Sequence, residues 1–207
     1  MTVQLDPYFR EIKRPAQIAD CFVAWLEGAR SQGNITAVFA AAQGLLSASV
    51  AVSRILWPDD YINKKVLTRE QSEALPGHRD YRSQALRTTL AADDFRDLLA
   101  DRDVRNAFEH FDQRMDLHLM GGKPIVDFNV GMPEFIDAPF NTLRLFDDVR
   151  NDLAILGNTI NLKQLYRAMK ELSDRAEAHQ TNLAQAADNE QEARKPAAIV
   201  PESDFSI

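Results

Sequence analysis

The chain has 207 residues, 45% hydrophobic and 27% charged, enough apolar material for one sizeable core. Eight glycines and nine prolines argue against a turn-dense all-β fold, and a single cysteine, Cys21, excludes an internal disulfide and a cysteine-based zinc site. A net charge of −7 disfavours a tight, non-specific nucleic-acid binder but leaves room for an enzyme that meets RNA in one local groove.

With no basic-then-apolar leader before Asp6-Pro7, the expected compartment is the cytoplasm. Asp6 and Pro7 suit a helix start, and Pro15 suits the first turn of a second helix. Ile18, Phe22, Trp25, Leu26 and Ala29 recur at three- and four-residue spacing, which predicts an amphipathic helix over 15–31 with those residues on its core face. Cys21, beside that stripe, reads as a small core residue. Gly33 stops the helix and Asn34 caps the next. Residues 35–53 carry no charge and approach the length of a membrane span. Thr36, Gln43, Ser47, Ser49 and Ser53 dilute that run, so the prediction is a central buried helix with no membrane role, ended by Trp57-Pro58.

Residues 59–77 read as a connector holding a short helix at 68–74, opened by Thr68 and Gln71 as a capping box. A third helix is predicted over 78–92 and a fourth over 95–119, stopped by Gly121-Gly122. Residues 125–128 read as a short strand, and the prolines at 133 and 139 as loop. Residues 143–146 and 153–156, around a polar turn at 147–152, predict a β-hairpin. Asn161 caps a last helix with Leu162, Leu165, Tyr166, Met169 and Leu172 on one face, and 187–207 reads as a disordered tail.

The chemistry concentrates in the fourth helix, in the run from Asp103 to Asp112 with Arg105, Asn106, Glu109 and His110. A permanent guanidinium suits a phosphate, and an imidazole gives and takes protons near neutral pH. Five residues of α-helix separate Arg105 from His110 by about 7.5 Å along the axis and about 140° around it, so one copy makes a loose site. Asn106 stands four residues before His110, on the same face, in a supporting role. Glu109 either orients Arg105 or is a solvated or paired surface carboxylate. The segment from Arg79 to Arg105 mixes arginines with aspartates, so it offers no plain basic face.

The word Arg105-Asn106-x-x-x-His110 resembles the Arg-x4–6-His motif of the HEPN superfamily, whose members include toxin and abortive-infection ribonucleases. The resemblance covers roughly residues 15–119, with a hairpin-and-helix extension found in some members. It implies a mainly α fold: an up-and-down helical bundle over 1–122, with a small β-hairpin and C-terminal helix appended over 123–186. It also implies a homodimer in which paired motifs form one composite cleft. There Arg105 holds the phosphate of single-stranded RNA and His110 moves the protons of a 2′-hydroxyl attack, with no metal and no cofactor. An antitoxin partner follows by the same family analogy. The competing expectation is a non-catalytic helical module that dimerises or binds a protein. No set of His, Cys, Asp or Glu stands at metal-ligand spacing: His78 and His179 lack partners, and His118 reads as a helix-end residue.

Overall fold

A computed structural model describes residues 4–59, 67–120, 125–127, 129–131 and 141–193. The protein is mainly helical, with a small sheet and a long C-terminal helix. The expected Gly121-Gly122 stop, Phe128, the loop around Pro133 and Pro139, and the tail from 194 onward lie outside the described residues, as does the side chain of His118.

α1 (Asp6–Ser31) is one continuous helix, not two. Pro15 sits inside it and forfeits one intrahelical hydrogen bond, which alone would kink or end a helix. Burial of Phe9, Ile12, Ala16 and Ala19 on both sides of the proline holds the segment helical. α1 closes in a Schellman motif: Gly33 N–H donates to Arg30 O and Asn34 N–H to Ala29 O, with Gly33 at φ +65°. Asn34 then caps α2 (Ile35–Leu56) by accepting the Ala37 N–H at 3.1 Å. α2 is long and apolar enough to cross a membrane, but its Val38, Ala42, Leu45, Val52 and Leu56 are enclosed in the protein core.

The core face of α1 differs from the expected one. Phe9, Ile12, Ala16, Ala19, Leu26 and Ala29 point inward, whereas Ile18 and Trp25 are 45% and 48% exposed and Cys21 is exposed too. The helix carries two apolar stripes, and sequence periodicity cannot rank them. Packing against α2 selects the one rich in alanine, which permits closer approach.

α3 (Arg69–Leu90) merges the expected short helix and third helix into one element. Its N-terminus is the predicted capping box: Gln71 N–H donates to Thr68 Oγ1 at 3.2 Å, and Thr68 N–H to Gln71 Oε1 at 3.0 Å. Pro76 again lies inside the helix. The expected fourth helix is instead a 3-10 turn (Ala92–Phe95) followed by α4 (Arg96–Leu99), α5 (Asp103–Glu109) and α6 (Phe111–Leu119). The Asp101 carboxylate accepts the Asp103 N–H at 2.8 Å and starts α5 afresh, and His110, at φ −116° and ψ 37°, separates α5 from α6.

The predicted hairpin forms from β4 (Arg144–Asp147) and β5 (Asp152–Ile155), with Leu145 opposite Ala154 and Phe146 opposite Leu153. Its turn is built on the Asp147 carboxylate, which accepts the Val149 and Arg150 N–H groups and pairs with the Arg150 guanidinium. β6 (Asn158–Asn161) joins β5 through Leu156 and Gly157, both at positive φ, as a two-residue primed turn. β2 (Asn129–Val130) adds parallel to β4, giving the order β2-β4-β5-β6, while β1 (Ile125–Val126) and β3 (Asn141–Thr142) form a separate parallel pair.

Asn161 ends β6 and caps α7 (Leu162–Ala193), accepting the Gln164 N–H at 2.9 Å. α7 lies along α1, where Tyr166 Oη donates to Asp20 at 2.7 Å and the His179 ring meets Phe9 at 5.0 Å. Phe146, Leu153 and Ile155 of the sheet and Leu162, Leu165 and Leu172 of α7 belong to the same core as α1 and α2. The part expected as an appendage from residue 123 therefore completes the main core. α7 also continues through 187–193, in place of the start of the expected disordered tail; among its described side chains the last buried one is Ala176, and 181–191 are exposed.

Candidate functional site around Arg105 and His110

The arginines between 79 and 105 have a structural use. α2 ends with carbonyls that no further turn can satisfy. Arg82 donates to Ile55 O at 3.2 Å, Arg87 to Leu56 O at 2.7 Å, Arg102 to Trp57 O at 2.6 Å and Arg79 to Asp59 O at 2.6 Å. Arg102 also pairs with Asp59, and Arg87 lies 3.6 Å from Asp93. Four cations thus gather at the negative end of the most buried helix, where its dipole favours them.

Arg105 stands beside this group without joining it. It is 8% exposed, on the buried side of α5 with Val104 and Ala107. It makes no hydrogen bond or ion pair to a described residue, including the Glu109 that sequence spacing offered as a partner. Its nitrogens nevertheless reach solvent: the enclosed side-chain polar atoms lacking a partner among the described residues are Ser53 Oγ, Trp57 Nε1 and Arg82 Nε. Burial, then the neighbouring charge of Arg102, push the Arg105 guanidinium below its ordinary pKa; Glu109 opposes this and Arg54 adds to it. Arg102 is shifted the same way by burial and by Arg54. Arg102, itself paired with Asp59, and Arg54 place positive charge near Arg105, which Glu109 and Asp101 offset in part.

His110 is exposed at the joint between α5 and α6. Its N–H still bonds to Asn106 O at 3.0 Å, so the helical spacing from Arg105 holds up to that point. By helix geometry Arg105 and His110 therefore leave α5 about 140° apart, the first buried and the second exposed. Asn106 is half-buried and Glu109 is exposed, neither held by a side-chain bond to a described residue. Arg54 is the component that sequence reasoning missed. It is the first charge after the uncharged run of α2, and only the packing of α2 against α5 brings it near Arg105.

Among the described residues, no group of three or more His, Cys, Asp or Glu side chains is placed to hold a metal ion. Comparison of the chain with protein-family models, with curated proteins and with solved structures returns no match, so the functional reading rests on these residues alone.

Proposed function

We propose that the protein is a metal-independent endoribonuclease that acts as a homodimer on single-stranded RNA. One observation carries this reading: a buried guanidinium with no described protein acceptor lies five residues before an exposed imidazole. Burying an unpaired cation is costly, and a phosphate is the ligand that best repays it. Arg105, with Arg102 and Arg54 behind it, holds the phosphate and its developing charge. His110, free in solvent, takes the 2′-hydroxyl proton or returns one to the leaving 5′-oxygen. Because the two groups diverge within one chain, the reaction needs His110 from a second copy facing the first copy's arginine. Asn106 positions the phosphate or the imidazole, and a protein antitoxin would act by covering this face.

Purified protein should cut single-stranded RNA in EDTA, leaving 2′,3′-cyclic phosphate and 5′-hydroxyl ends, and should spare DNA. His110→Ala and Arg105→Ala should each lower cleavage at least a hundredfold with the helical circular dichroism unchanged. Mixing the two inactive variants should restore part of the activity, because a mixed dimer keeps one intact pair. Cleavage that survives both substitutions removes the assignment.

A second reading, a non-catalytic module that binds a protein, draws on the exposed Ile18 and Trp25 of α1. A pure protein that leaves RNA intact at high concentration yet elutes as a dimer supports that reading instead.

A further inference from the structure

The C-terminal end of α1, the start of α7 and the β4–β5 turn enclose a cavity of about 370 Å³, within the size range of small-molecule sites. Leu26, Leu45 and Leu162 form its floor, and all are buried. Arg30, Lys163 and Arg167 line its rim, with Glu27 as the acidic member of the lining. Arg30 is fixed there by donation to Asp148 O and to Asn151 Oδ1, and by its position over the Phe146 ring. Lys163 and Arg167, one helical turn apart on α7, make no hydrogen bond or ion pair to a described residue. Tyr166 between them also lines the cavity, its hydroxyl committed to Asp20.

We infer that this cavity binds a small phosphomonoester with a flat apolar body, of which a nucleoside monophosphate is the type. An apolar floor under three cations matches a ligand that is hydrophobic at one end and doubly negative at the other. The local balance of three cations to one carboxylate is opposite in sign to the chain's net charge of −7, so the rim is a local exception to the acidic surface. Arg30 supplies a pre-positioned guanidinium, and Lys163 and Arg167 are free to close on phosphate oxygens. Glu27 weakens the site by repulsion and favours ligands whose body carries a donor toward it. The site does not depend on the ribonuclease reading, since it shares no residue with Arg105 or His110.

Isothermal titration of the full chain with adenosine 5′-monophosphate, phenyl phosphate, adenosine and inorganic phosphate tests this. One of the two organic phosphates should bind one per chain with Kd below about 1 mM, and adenosine and inorganic phosphate at least tenfold more weakly. The double substitution Lys163→Ala/Arg167→Ala should weaken binding at least tenfold, whereas Glu27→Gln should tighten it several-fold, a gain that a damaged fold does not produce. Arg105→Ala should leave binding unchanged, which separates this cavity from the proposed cleavage site. The inference is overturned if neither organic phosphate binds, if inorganic phosphate binds equally well, or if the double variant binds as the wild type does.

Discussion

At the scale of single residues, the proposed role of Arg105 in cleavage sets function against stability. A partly desolvated cation without a hydrogen-bonded carboxylate carries a cost that an apolar side chain of similar length avoids. Arg105→Met should therefore raise the stability of the ligand-free protein by about 1–2 kcal/mol in urea unfolding while removing RNA cleavage. Asp147 is the opposite case, a fully buried carboxylate whose partners are all present. Burial works against its charge, but the N–H and guanidinium bonds from Arg150 and the N–H of Val149 outweigh it and hold the carboxyl below its ordinary value of 3.8. Its contribution is then present above pH 4 or so and is lost as pH falls through the lowered folded value. Asp147→Asn should cost about 1–3 kcal/mol at neutral pH, and its stability should fall less steeply than that of the wild type on acidification. The proposed motif residues are read from residue type and spacing alone. What the spacing left open was whether Glu109 neutralises Arg105. The structure forms no ion pair between the two, and the charges acting on Arg105 are Arg102 and Arg54 on one side and Glu109 and Asp101 on the other.

At the scale of elements, the arginine-rich stretch after α3 begins is a capping device for α2, and Arg175 repeats it on α3. Its Nη1 donates to Leu90 O and Ala91 O while its guanidinium lies 5.1 Å from the Phe95 ring. Arg87→Ala should lower stability by about 1–2 kcal/mol without affecting RNA cleavage, which a comparison of urea midpoint and turnover would read. The sequence predicted the capping box at Thr68, the Asn34 and Asn161 caps and the hairpin turn, all of which depend on residues within a few positions of one another. It began a helix at Pro15, ended a short one at residue 74 and placed no end at His110, and the structure reverses all three. Proline breaks a helix only when no packing repays the lost bond. The break at His110 has no local breaker residue and reflects where α5 and α6 find their partners. The turn at Leu156-Gly157 was missed for a related reason: leucine at positive φ is costly in isolation, and here its side chain is buried.

At the scale of the whole molecule, α7 joins the start and the end of the chain into one core. Tyr166 is the polar part of that seam. Its hydrogen bond to Asp20, burial and the Asp20 charge push the phenol up to about 12 from 10.0. A raised folded value means the bond stabilises below pH 10 and is lost as pH rises through about 12. Tyr166→Phe should remove that alkaline slope in a melting-temperature series. Beyond Ala176 the same helix runs on for several turns with no further described side chain in the core. An isolated helix that short barely holds together in water. Amide protons after about residue 184 should accordingly trade with deuterium in seconds, while those of 165–176 outlast them by orders of magnitude. That end of the rod is a graded thermometer of local opening, and clipping it at Leu183 should leave the melting temperature where it was.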